Sequence, residues 1–439
     1  MKKSLLVLMM LLLAVTVALV GCGPDNNDNE PGGNNQVDEN TTNEGANNET
    51  NENAGDAEEA TPEKPESIEI WANDEEFQYA AIEHLVEEFE AEHGIDVTVT
   101  PVQMADQDEA FELDGPSGIG PDLLFQPHDR LGNLTAQNLL APMEIDEAEF
   151  ANYTEDAVNA FTLDGEIYGA PLVMENTALY YNKSIIEEIP ATMEELYDLS
   201  EELTDVGNDE YGFLFEALNF YHVYPWMGGH GGYVFNQDAE GNYDPEDIGL
   251  ANEGSVEAYA EVQSLFDRGL LPRSITEDVL NGLFTEGNVG AVLSGPWYLA
   301  SFTEALGDDL GVAPLPTLSN GEDPTPFAGV KGWLLSDYSE NKYWASQLAL
   351  HLTSADSQSY YFAETGEIPA RPDSDVDNPL AEGFLEQSQT ATPMPNIPEM
   401  GQVWDPMEDS LEFNADGEDP QEVLEEAVED IIVNIELMQ

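Results

Sequence analysis

The chain is 439 residues long, yet it has one cysteine and only ten lysines and arginines. A single thiol makes no internal disulfide, so a disulfide-stapled scaffold is excluded. Ten cations against 91 carboxylates leave a net charge of −81. Such a surface repels phosphates, which excludes nucleic acid as a partner. The same charge strains the compact state by self-repulsion, and molar salt screens exposed charges over a few Å. Adaptation to high salt is the direct reading, with an alkaline habitat as the alternative. Either way the charge reports on the solvent and not on the ligand. Catalytic strings are missing too: there is no G-x-S-x-G, no H-E-x-x-H and no P-loop. A carboxylate dyad for glycoside hydrolysis turns up by chance in so acidic a chain and therefore carries no weight. The six histidines include His222 and His230, whose spacing fits no zinc motif. Asp373, Asp375 and Asp377 stand at calcium-loop spacing. Asn378 and Phe384, however, occupy the places of the loop's Gly and Glu, so a solvated acidic loop is expected. The run GGHGG at 228–232 lacks the Lys-Ser/Thr of a phosphate cradle and reads as a tight turn before the strand GYVF. No metal and no cofactor is called for, and the chain is read as a non-enzyme.

The lone cysteine has informative neighbours. Lys2 and Lys3 precede the apolar run SLLVLMMLLLAVTVALV. Residues 1–21 thus read as a secretory leader, with a transmembrane anchor as the competing reading. Leu19-Val20-Gly21-Cys22 resembles a bacterial lipobox, which makes Cys22 the expected lipidation site. Acyl chains contribute about 0.8 kcal/mol per buried CH₂, so two or three of them hold a protein on a membrane. Residues 23–66 contain no aromatic residue and one branched aliphatic, Val37. Too little apolar surface is present there to offset ordering entropy, and 22–66 reads as a disordered acidic, Asn-rich tether.

Order is expected from Ser67 onward. SIEIWAND alternates like a strand, and the helical stretch after it places Phe77, Ala81, Leu85 and Phe89 four apart, with Gly94 as its stop. IDVTVTPV follows as a second strand, so a parallel β-α-β unit is expected. GPDLLFQP reads as a buried strand leading into a helix over DRLGNLTAQNLL. IYGAPLV, TALYYNK, NVGAVLS and GVAPLP read as further strands. TMEELYDLSEEL and PQEVLEEAVEDIIVNIEL read as helices, the latter with Leu424, Ala427, Val428, Ile431 and Ile435 on one face. This is an α/β chain of two lobes.

Aromatic residues stand beside polar ones in GPWYL, NFYHVYPW and PMPNIPEMGQVW. That combination suits sugars, whose C–H faces stack on rings while their hydroxyls bond to carboxylates, amides and Arg. At these stretches the chain resembles the maltose/maltodextrin-binding proteins of ABC importers, in particular the Gram-positive branch. The resemblance covers about residues 67–437. It runs in order through IEIWAND, GPDLLFQPHDR, IYGAPLVMENTALYYNK, GGYVFN, SGPW, TPFAGV and PMPNIPEMGQVW.

The resemblance implies a two-lobe periplasmic-binding-protein fold of type II, with the ligand in a cleft that closes by a hinge. Lobe one would be 67–174 and 328–376, and lobe two 178–326 and 380–439. Asp129 and Arg130 would bond sugar hydroxyls, as would Glu75 and the crossover residue Glu175. Tyr221, Trp297 and Trp404 would stack on pyranose rings. The departures are Gln126 where many relatives have Trp, Asn219 in place of a frequent Glu, Glu76 in place of a Lys, and Glu408 where Arg is common. The implied ligand is a maltodextrin-type oligosaccharide, with cyclodextrin open. The implied partner is an ABC permease, and a monomer on the outer face of the membrane is expected. A sensor or adhesion module on the same scaffold is the alternative, and an anchored glucan-degrading enzyme a remote one.

Overall fold

The computed structural model describes residues 61–238 and 241–438. The leader, Cys22 and the tether as far as Ala60 lie outside the described residues.

The first helix spans Glu76–His93 and stops at Gly94, which adopts φ 65° and donates its N–H to the Glu90 carbonyl at 2.8 Å. Only glycine takes that left-handed turn without a steric cost. The buried face is Gln78, Ala81, Ile82, Leu85, Val86 and Phe89, while Phe77 is only half-buried. A spacing of strictly four drifts off a 3.6-residue stripe, which is why Ile82 and Val86 take the place expected of Phe77. The same drift half-exposes Val428 in the C-terminal helix Pro420–Met438, where Val423 is buried instead. DRLGNLTAQNLL forms a 3-10 turn, His128–Arg130, followed by a short helix, Leu131–Ala136. Gly228 and Gly229 belong to the end of the helix Phe220–Gly229. The turn comes at Gly231, with φ 89°, and the strand starts only at Phe235.

In the larger sheet, Ser67–Ala72 lies between Asp96–Pro101 and Leu123–Pro127, all parallel. Beyond them Phe327–Leu335 runs antiparallel to Leu123–Pro127, followed by Gly169–Glu175 and Ile368–Pro369. The parallel unit expected from the sequence therefore accounts for only part of a mixed sheet. Strands joined by a local crossover helix must run parallel; strands that enter from elsewhere in the molecule are under no such constraint. A second sheet orders Leu310–Ala313, Ala178–Asn182, Val289–Ser294 and Tyr211–Leu214.

Each sheet carries its own core. One core draws on 68–173 and 330–370, with Phe89, Leu124 and Trp333 at its centre. The other draws on 178–327 and 384–435, around Tyr180, Phe213 and Trp226. The chain passes between them at 174–177, within Phe327–Leu335, and again after Ala370. The strand Phe327–Leu335 begins with Phe327 in one core and reaches Trp333 in the other.

Two boundaries differ from the sequence reading. The last residues of the expected tether lie along the first core. The Trp344 indole donates to the Pro62 carbonyl at 3.2 Å, and Lys64 sits 5.3 Å from the Trp344 ring and donates to the His93 carbonyl at 2.6 Å. A buried indole N–H needs an acceptor, and its ring face attracts a cation. The stretch 380–439 also reaches back to the other half. The Asn396 amide donates to the carbonyls of Asn159, Ala160 and Thr162 at 3.1–3.2 Å, which satisfies the end of the helix Glu155–Ala160.

Candidate functional site

A cleft of about 460 Å³ opens between the two cores. All nine residues singled out from the sequence line it: Glu75, Gln126, Asp129, Arg130, Glu175, Asn219, Tyr221, Trp297 and Trp404. They are not equivalent in what their side chains do.

On the first wall, Glu75 precedes the helix Glu76–His93 and makes no capping bond, so its carboxylate is free. Partial burial, then Glu277 and Asp74, push its pKa up. Arg130 stands 3.3 Å from Asp108 and 3.5 Å from the buried Asp129. Burial opposes its charge, but Asp129, Asp108 and Glu408 outweigh burial and hold the guanidinium above its ordinary pKa. Asp108 was not visible in the sequence. Burial drives its carboxyl up to about 6 against the pull of Arg130. Gln126 is fully buried and donates to the Met104 carbonyl at 3.0 Å, so its amide serves the backbone first.

The second wall is aromatic. Trp297 follows Gly295 and Pro296 in SGPW. A Cβ on Gly295 would lie 1.8 Å from the Trp297 ring, so only glycine lets the indole fold back over the chain. The indole N–H donates to Glu277 at 2.9 Å, a carboxyl that burial pushes up. Tyr221 lies between Trp297, at 6.2 Å, and Phe327, at 6.0 Å. Burial, then Glu175, drives its hydroxyl well above the usual range, so it stays a neutral donor. Trp404 opens the helix Trp404–Ala415 and packs edge-on against Phe220 and Phe327. Neither the Tyr221 hydroxyl nor the Trp404 indole N–H finds a partner within the protein. Two uncommitted donors on one wall of the cleft suit a ligand rich in hydrogen-bond acceptors. Asn219 caps the helix Phe220–Gly229: its carbonyl accepts from the Tyr221 N–H at 3.0 Å and its amide donates to Glu216 at 3.1 Å.

The floor holds what sequence reasoning missed. Lys331, 2% exposed, lies 2.8 Å from Glu175 and 2.5 Å from Glu367, with the Trp297 ring centroid 5.2 Å away. Burial disfavours its charge, but the two carboxylates outweigh burial and hold it above its ordinary pKa. A lysine inside the apolar run GVKGWLL was the available signal. Glu277 had none, being one acid among 91. His222 also lines the cleft, 3.6 Å from Glu216, whereas His230 lies against Glu257 and Glu261. Asp373 pairs with Arg371 at 2.8 Å. Among the described residues no group of three or more His, Cys, Asp or Glu is placed to hold a metal.

A two-cored α/β chain with three passages over a polar, aromatic cleft is a binding protein of the hinged, two-lobe class. Residues 84–383 match the family model described as "Bacterial extracellular solute-binding protein", and the chain belongs to that family. It is 38% identical over 349 residues to the maltodextrin-binding protein of Bacillus subtilis, spanning 76% of this chain and 82% of the relative. It is 35% identical over 378 residues to the galactooligosaccharide-binding protein of the same species, spanning 83% and 89%. Among solved structures it is similar to a cyclo/maltodextrin-binding protein complexed with maltotetraose. That likeness has a TM-score of 0.73 and 38% identity, and covers 86% of this chain and all of the other.

Proposed function

We propose that the protein captures a maltodextrin-type oligosaccharide in the cleft and delivers it to the permease of an ABC importer. The observation that carries this reading is the pairing of Trp297 and Trp404 with two unsatisfied donors, the Tyr221 hydroxyl and the Trp404 N–H, above a floor of carboxylates. Rings take the sugar's C–H faces, and the polar groups take its hydroxyls. Glu75, Asp129 and Arg130 act from one lobe, Tyr221, Trp297 and Trp404 from the other, and Glu175 from the passage between them. Gln126 and Asn219 line the site but mainly brace it. The lobes are 67–174 with 328–376, and 178–326 with 380–439. They close on a sugar that touches both, and the passages at 174–177, at Phe327 and near Asp377 act as hinges. Cys22 carries the lipid that moors the protein to the outer face of the membrane. The acidic surface is an adaptation to salt. Affinity in the micromolar range corresponds to about −8 kcal/mol.

The cleft's charge narrows the ligand class. Asp74, Glu75, Asp129, Glu175, Glu277, Asp405 and Glu408 face it, against Arg130 and Lys331. Seven carboxylates against two cations disfavour phosphorylated or uronic sugars. A galactooligosaccharide is the second reading, supported by the 35% identity over 83% of the chain. Isothermal titration in molar NaCl with maltotriose, maltoheptaose, β-cyclodextrin and a β-1,4-galactotriose separates the two. Tight binding of a glucan alone upholds the first reading, and binding of the galactan alone replaces it.

A further inference from the structure

The chain passes between the two cores three times, and residues in the first two passages and shortly before the third meet in a single buried ion cluster. Glu175 ends the strand Gly169–Glu175 and lies within the first passage, 174–177. Lys331 lies in Phe327–Leu335, four residues after Phe327. Glu367 follows the helix Ala355–Thr365 and precedes the third passage. All three are buried, and Lys331 bridges the two carboxylates at 2.8 and 2.5 Å. One ammonium facing two carboxylates leaves a negative charge to disperse, and the Tyr361 hydroxyl donates to Glu367 at 2.9 Å. Gly329 leaves room for this arrangement, since a Cβ there would meet Glu175 Cγ at 2.8 Å. The cluster also belongs to the cleft. Glu175 and Lys331 both line it, and Lys331 presents its charge to the face of Trp297 on the opposite wall.

We propose that Glu175–Lys331–Glu367 is the hinge's charge lock, with Lys331 a positioning residue that sets the Glu175 carboxylate and the Trp297 ring together and so couples lobe closure to ligand capture. The binding part of this rests on the sugar-binding reading above; the hinge part does not. Burial pushes the Glu175 carboxyl up and Lys331 pulls it back, so the lysine favours the ionised form, the stronger acceptor for a sugar hydroxyl. The groups facing Glu175 are Lys331, Glu367, Asp129 and Tyr221. Only Lys331 is cationic, so nothing else among them offsets the burial of that carboxylate.

Lys331→Met alone leaves two buried carboxylates without a counter-ion and is expected to fold poorly. Lys331→Met/Glu367→Gln removes one charge of each sign and is the variant to use. Two measurements are made on the full chain in molar NaCl. In the first, maltotriose affinity is followed from pH 5.5 to 8.5. The wild type is expected to vary less with pH than the double variant, because Lys331 opposes protonation of Glu175. The double variant is expected to bind at least about tenfold more weakly at pH 5.5 and to recover as pH rises, because an unpaired buried carboxyl is protonated at the acid end. In the second, amide exchange is measured without sugar, and peptides over 174–177 and 328–332 are expected to exchange faster in the double variant. Wild-type affinity in the double variant at every pH, or a loss that does not vary with pH, overturns the coupling. Unchanged exchange overturns the hinge role. If the wild type binds no maltotriose while exchange still quickens, the sugar reading has failed and the hinge lock stands.

Discussion

At the scale of single residues the proposed site divides into groups placed to meet a ligand and groups that hold them. Trp297→Ala and Trp404→Ala each remove a stacking ring and should weaken sugar binding by about 1–2 kcal/mol, roughly five- to thirtyfold in Kd. Their melting temperatures should stay near the wild type, because both rings are only half-buried. Unchanged Kd in both, measured by titration, would falsify their assignment. Asp108 is a group that holds. Its folded pKa is raised to about 6 from an ordinary 3.8. The folded state therefore keeps a proton that the unfolded chain releases. This contribution to stability is fully present below about pH 4 and disappears as pH rises through 6. Asp108→Asn removes the titration. Melting curves should show the variant gaining on the wild type between about pH 4 and just above pH 6, and a constant offset would show that the carboxyl does not titrate there. The resemblance singled out ring and carboxylate positions by their strings. Asp108, Glu277 and Lys331 carry no string, and only the fold brings them to Arg130, Trp297 and Glu175.

At the scale of elements, local chemistry decides where side chains point. Asn219 caps the short helix that carries Tyr221, and Pro225 inside that helix cannot donate to the carbonyl four residues back. With that bond missing, the cap matters more. Asn219→Ala should cost about 1 kcal/mol of stability, read as a lower melting temperature, and should also weaken sugar binding because Tyr221 loses its mooring. A fall in stability with no change in affinity would leave Asn219 a cap and nothing else. Gly94, Gly231 and the βαβ start were legible in the sequence because turns and short-range periodicity are local properties. The antiparallel placement of Phe327–Leu335 was not, since its partners lie far away in the sequence. The strand's reach from one core to the other is likewise a tertiary fact.

At the scale of the whole molecule, 91 acids outnumber ten lysines and arginines, and the cations among the described residues are not scattered. Arg268 ties Asp198 and Glu201, Arg273 reaches Asp416, Lys183 bonds the carbonyls of Asp308 and Leu310, and Lys342 bonds those of Asp337 and Ser339. Each serves as a staple, and Arg130 and Lys331 are kept for the cleft. Melting temperature should therefore rise from low to molar NaCl as repulsion is screened. A flat or falling trend in calorimetry would refute the salt reading of the charge. The expected site residues came with the family resemblance; by itself the sequence determined the α/β class, the early strands and helices, and the leader-like and lipobox-like strings. These follow from composition, periodicity and short motifs, which need no knowledge of distant contacts. Only the tertiary structure decided the mixed sheet, the three passages, the buried Glu175–Lys331–Glu367 cluster and the return of Asn396 to the opposite half. Burial and Coulomb energy depend on which remote groups meet, and among 91 similar carboxylates only the fold selects the few that face a cation in a dry place.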